Sequence, residues 1–115
     1  MHEVSICESI IDIIVEHASR ESASRVTSIR LKIGEMAGVA LDSMRFAFEI
    51  VAKGTLAEGA ELIIDTVPLA ARCRSCGRNF QITNYAFSCA HCDSPEIEVV
   101  SGRELCIEEI DMETT

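Results

Sequence analysis

The chain has 115 residues, 48% of them hydrophobic, with four Phe, one Tyr, no Trp and a formal net charge of −9. That length fits one domain with a small appended module and an aliphatic core, and the charge argues against whole-molecule attraction to nucleic acid or anionic lipid. No hydrophobic run approaches a membrane span and no basic-then-apolar leader opens the sequence, so a cytoplasmic protein is expected, whose six cysteines are thiols or metal ligands rather than disulfides.

The spacing predicts a first helix from Ser5 to about Ser24. Ile6, Ile10, Ile13, Ile14 and His17 recur at three- and four-residue steps, and Cys7, Ile11 and Ala18 widen the stripe. Glu8, Asp12, Glu16 and Arg20 form the solvated edge, with Glu16 and Arg20 in the favourable i, i+4 order. Thr27 to Ile33 (TSIRLKI) alternates as a half-buried strand, with Ile29, Leu31 and Ile33 on one face and Ser28, Arg30 and Lys32 on the other. GEMAGVAL, with Gly34 and Gly38, predicts a loop whose Glu35 and Met36 are exposed.

A second helix is expected from Asp42, or the loop before it, to about Lys53, where Gly54 stops it. Leu41, Met44, Ala47, Phe48 and Val51 give its apolar face. A second strand spans Glu61 to Val67 and a third Arg103 to Ile110. In the third, Ile110 falls out of phase with Leu105 and Ile107, which signals a bulge or an early end. These two strands bracket a cysteine-rich insert and are expected to pair antiparallel, bringing its ends together. The outcome is an α+β fold: two helices packed on about three strands, with the insert as a separate module.

The insert reads CRSCGRNFQITNYAFSCAHC. Cys73 and Cys76 form one CxxC, Cys89 and Cys92 another, with twelve residues between. A two-residue gap lets both sulfurs of a tight turn face one centre, and Gly77 supplies the flexible position of the knuckle. Two facing knuckles complete a closed tetrahedron of thiolates, the arrangement of a structural zinc site, one per chain. Redox CxxC pairs instead sit at helix starts in a βαβ context, which neither pair has. Zinc would then supply most of the module's folding energy.

Cys7 and Cys106 are expected as buried small hydrophobes, His91 as a surface residue and His17 as a semi-buried one. The stretch from Ala70 to Cys92 carries +3 from Arg72, Arg74 and Arg78, and the rest of the chain −12. A zinc ribbon that binds nucleic acid or protein is therefore the alternative reading. Zinc with four thiolates cancels about two of those charges. Phe80, Tyr85 and Phe87 are expected to fill the ribbon's core rather than stack on bases.

The chain opens MHE. The terminal amine of Met1, the amide and a ring nitrogen of His2, and the amide of Glu3 can close small chelate rings around one ion. Deprotonated amides favour metals that gain from a planar nitrogen field, Ni(II) or Cu(II). An acid near a helix start is also favourable without any metal, so the residues alone leave both readings open.

MHEVSICESI at the start, LKIGEMAGV after the first strand, FAFEI in the second helix and the paired CxxC motifs resemble, in order and over essentially the whole chain, the HypA/HybF family of hydrogenase maturation factors. The resemblance implies two helices against a small mixed sheet, with a zinc module. Residues 1–69 plus 101–115 would be the nickel-binding domain and 70–100 the zinc ribbon. It also implies a nickel metallochaperone that is not an enzyme, holding transferable Ni(II) at Met1, His2 and Glu3 and structural Zn(II) at Cys73, Cys76, Cys89 and Cys92. The implied partners are a HypB-type GTPase, the large-subunit precursor of NiFe hydrogenase and, for some members, urease maturation proteins.

Overall fold

The computed structural model describes residues 2–114. Its elements are α1 (His2–Arg20), β1 (Ala23–Gly34), α2 (Leu41–Ala52), β2 (Glu61–Val67), β3 (Ala70–Cys73), β4 (Asn79–Gln81), β5 (Ile97–Ser101) and β6 (Leu105–Thr114). The chain divides into two compact units, residues 1–31, 39–65 and 106–115 in one, and 32–38 and 66–105 in the other. No helix among the described residues is long and apolar enough to cross a membrane.

In the first unit α1 and α2 pack together over an aliphatic core. The buried row on α1 is Cys7, Ile11, Ile14 and Ala18, with Ile10 beside it. Ile13 is 56% exposed and His17 is exposed, so the stripe is rotated from the expected one, which had both facing inward. On α2 Met44, Ala47, Phe48 and Ala52 are buried, and Ile29 and Leu31 of β1 close the core from the sheet side. The opposite face of β1 is polar: Arg30 reaches Asp65 at 2.9 Å and Ser28 donates to Asp111 at 2.8 Å.

The sheet order is β2-β1-β6. Val26 donates to Leu56 just before β2, and Glu35 donates to Val67 at its end, so β1 and β2 run the same way. Ser24 donates to the Glu113 carbonyl and Gly34 to that of Glu104, so β6 runs opposite to β1. The sheet is therefore mixed, and β1–α2–β2 is a crossover unit. This corrects the expected pairing of the strands that bracket the insert: β2 and β6 lie on opposite edges with β1 between them. The ends of the insert are instead brought together by β3 and β5, which pair antiparallel from Ala70↔Ser101 to Cys73↔Ile97. With that closure made by the ribbon's own strands, the two edges are free to flank β1, the strand whose apolar face is most completely covered.

Boundaries differ at α1, which starts at His2 and ends at Arg20. Ser22 takes a left-handed conformation (φ 55°), reversing the chain so that β1 begins at Ala23. Strand β6 does not end at Ile110 but runs to Thr114. Its half-buried residues step by three from Ile107 to Ile110 and by two to Met112, the change of phase that the sequence contained.

In the second unit β4-β3-β5 form a small sheet over Leu69, Ala71, Cys73, Phe80, Ile82 and Cys89. Phe80 fills this core as expected, whereas Tyr85 is 75% and Phe87 41% exposed. Both stand at or beside a tight turn in which Asn84 and Tyr85 have positive φ and Ala86 donates to Thr83, which turns the Tyr85 ring outward.

Candidate metal centres

The two CxxC pairs fold as matching knuckles. In the first, Cys73 N–H donates to the Arg78 carbonyl and Gly77 N–H to the Cys73 carbonyl; in the second, Cys89 N–H donates to Ser94 and Asp93 N–H to Cys89. Gly77 (φ 77°) and Asp93 (φ 63°) hold the same left-handed position four residues after the first cysteine of each pair. Asp is one of the few side chains that tolerates it.

Within each knuckle the first sulfur accepts two backbone N–H groups. Cys73 Sγ receives those of Ser75 and Cys76 at 3.3 Å, and Cys89 Sγ those of His91 and Cys92 at 3.3 and 3.4 Å. Cys73 and Cys89 are buried, Cys76 and Cys92 exposed.

The four sulfurs lie within 4.8 Å of one another, with Cys73 to Cys92 at 3.6 Å and Cys76 to Cys89 at 3.7 Å. A tetrahedral ion bonded to sulfur at about 2.3 Å requires sulfur–sulfur edges of about 3.8 Å, so these two edges match a zinc-sized ion and the others, all within 4.8 Å, need to close by about 1 Å at most. Metal-free, the thiols do not share charge evenly. The Cys76 N–H, with that of Ser75 and against burial, brings the Cys73 thiol down to about 6. At Cys92 the Ser94 N–H acts in the same sense, but the Cys73 sulfur, burial and the remaining sulfurs push it up to about 12. Against burial, the Cys92 and His91 N–H groups bring the Cys89 thiol down as well, and binding of a cation releases the protons that the cluster still holds.

The other expected site begins at Met1, which lies outside the described residues. His2 is exposed at the first position of α1. Backbone N–H groups in a helix's first turn lack intrahelical acceptors, so the amides of His2 and Glu3 can meet a cation without breaking the helical ladder. Glu3 is different, its side chain only 14% exposed. Its Oε2 lies 3.2 Å from His2 Nε2 and accepts the Ala40 N–H at 3.4 Å. That N–H, aided by Glu3's own N–H and by His2 and opposed by burial, holds the carboxyl below the usual carboxylate range. The sequence points only to this residue's backbone nitrogen. A tether 37 residues away in sequence leaves no periodic signal.

His91 is exposed, as expected. Cys7 is fully buried, its Sγ 3.5 Å from the Met44 carbonyl, and burial pushes its thiol up. Cys106 is exposed, against expectation, because it projects from the polar side of an edge strand.

Two helices, small mixed sheets and a four-cysteine cluster in paired knuckles define a small α+β protein of the zinc-ribbon type. The family model described as hydrogenase/urease nickel incorporation, metallochaperone, hypA matches residues 1–112. The hydrogenase maturation factor HypA of Chlorobaculum tepidum is 39% identical over 98% of this chain and all of its own, and that of Alkalilimnicola ehrlichii 42% over the same shares. The chain belongs to the HypA family of nickel metallochaperones for hydrogenase maturation. Its fold matches the solution structure of the Ni metallochaperone HypA from Helicobacter pylori at a TM-score of 0.69, with 23% identity and 98% of each chain covered. A second HypA solution structure matches at 0.72, with 25% identity, 97% of this chain and 96% of the other.

Proposed function

We propose that this chain binds Ni(II) at its first three residues and passes it to the large-subunit precursor of NiFe hydrogenase, with a HypB-type GTPase and urease maturation proteins as further partners. With Met1 as the terminal residue, the donors are its amine, the amide and ring nitrogen of His2 and the amide of Glu3. Zn(II) is the resident ion, held by Cys73, Cys76, Cys89 and Cys92 as structure. The nickel-carrying part is 1–69 with 101–115, and 70–100 is the zinc ribbon. The protein acts in the cytoplasm as a carrier, not an enzyme.

The observation that carries this reading is His2, exposed at the start of α1 within a chain whose family match runs from residue 1 to 112. A site of backbone and imidazole nitrogens at a chain end can exchange its donors one at a time for those of an acceptor, as transfer requires. Four thiolates in two rigid knuckles cannot do so without unfolding the ribbon. Calorimetric titration of the zinc-loaded protein with Ni(II) tests the assignment: one tight site is expected in the wild type and none in His2→Ala, with zinc content equal in both. Exposed Tyr85 and Phe87 favour one second reading, a ribbon that docks another protein. A zinc-loaded wild type that ignores nickel would support that reading alone.

A further inference from the structure

Helix α2 begins without a cap of its own. Its N-cap residue, Ala40, has no side-chain oxygen, and Ser43 holds the place three residues on where a capping box would have Glu or Gln to take the N-cap N–H. Glu3 supplies that carboxylate from α1: its Oε2 accepts the Ala40 N–H, and its charge sits at the favourable end of the α2 dipole. The same oxygen lies 3.2 Å from His2 Nε2. A cation bound to the His2 amide nitrogen closes a small ring through Cα, Cβ and Cγ with Nδ1, whereas Nε2 lies on the far side of the imidazole. The carboxylate therefore faces the ring nitrogen that such a chelate leaves unused.

We infer that the Glu3 side chain is a positioning residue for nickel capture: it docks the terminal segment on the start of α2 and, through Nε2, turns the His2 ring with Nδ1 free for the ion. This rests on the reading of the terminus as the nickel site, and adds to it a role for the carboxylate beyond the Glu3 amide. Metal-binding imidazoles are commonly fixed in this way by a carboxylate on their other nitrogen, and loss of such a partner costs about 10- to 100-fold in affinity. Glu3 does not touch the ion; it acts through His2.

The test uses the zinc-loaded full chain and Ni(II) as the probe. Glu3→Ala is expected to weaken nickel binding about 10- to 100-fold with zinc content unchanged. Glu3→Gln, whose carbonyl oxygen can accept both contacts, should restore most of it. Ala40→Pro removes the tethering N–H at a φ of −82° that proline tolerates, and should weaken binding in the same direction without touching Glu3. Nitrogen-15 shifts of the metal-free protein, with His2 neutral, should place the ring proton on Nε2 in the wild type and divide it between the two nitrogens in Glu3→Ala. A purely structural cap would not move that signal. Unchanged affinity and unchanged tautomer in Glu3→Ala, or a Gln variant as poor as Ala, overturns the inference while His2→Ala still abolishes binding. Wild-type affinity in His2→Ala would overturn the nickel reading itself.

Discussion

Gly34 ends β1 against the backbone of Gly102 and Arg103, and replacing it with Ala should be strongly damaging. A β-carbon there would lie 2.5 Å from Arg103 N and closer still to the carbonyl carbon and oxygen of Gly102, all backbone atoms. Ordinary contact begins near 3.4 Å, so the two chains must part by about 1 Å. Neither side yields easily. A β-carbon on Gly102 would itself meet Leu69 Cα at 2.6 Å, and Gly102 has a φ of 111°. Separation also stretches two 2.7 Å hydrogen bonds, Gly34 N–H to Glu104 and Met36 N–H to Gly102.

Overpacking against rigid atoms costs about 1–3 kcal/mol, and each weakened hydrogen bond about 1 kcal/mol more. The total, about 3–5 kcal/mol, is a large share of a small domain's stability and corresponds to about 12–20 °C in Tm. Gly38→Ala is the control. Gly38 has a φ of 76° and open space around it, so only left-handed strain of about 1–2 kcal/mol is expected. Thermal melts of the zinc-loaded variants, followed by circular dichroism, should rank Gly34→Ala well below Gly38→Ala. A Gly34→Ala protein melting within about 4 °C of wild type would mean that the two backbones part at little cost, against this expectation.

Replacing Cys73 and Cys76 together by Ala should abolish zinc binding and disorder residues 70–100 while leaving the helical signal of α1 and α2, as metal analysis and amide exchange would show. Zinc affinity should fall as pH falls, because protons compete for the thiolates. Cys73, brought to about 6 in the metal-free protein, is already ionised at pH 7.5. Zinc uptake should therefore release fewer than four protons there, with the Cys73 contribution reappearing below pH 6, as titration in buffers of differing ionisation enthalpy would show. Iodoacetamide should modify Cys106 readily in the zinc-loaded protein and Cys7 only on unfolding, since the first is exposed and the second enclosed; peptide mapping distinguishes them.

What the sequence made legible was local. The alternation of Ile29, Leu31 and Ile33 declared its face because these three are buried while Ser28 and Arg30, at the alternate positions, reach Asp111 and Asp65. The CxxC pairs declared their geometry because a two-residue gap leaves the sulfurs one direction to share. On α1, Ile13 and Ile14 are chemically the same residue, and only packing against α2 decides which is buried. Ser22 ends α1 in a conformation usually signalled by glycine, and Asp93 does for the second knuckle what Gly77 does for the first. In neither case did the residue type announce the turn. The strand order failed because pairing between distant segments is set by which surface gains most from burial, and β1 outcompetes β6 for the place beside β2. The contacts of the Glu3 carboxylate belong to the same class of long-range facts.

Extending the chain ahead of Met1 shows whether its terminal amine holds nickel. Two or three residues placed before Met1 convert the amine into an amide and leave His2, Glu3 and every cysteine in place. Calorimetry of the zinc-loaded extended protein should show tight Ni(II) binding lost and zinc retained, matching His2→Ala; in the unextended protein, binding should strengthen with pH as amine, imidazole and amides release protons to the metal. Undiminished nickel affinity in the extended protein would rule out the terminal amine and move the donors elsewhere, to His17, His91 or the spare thiols of Cys7 and Cys106.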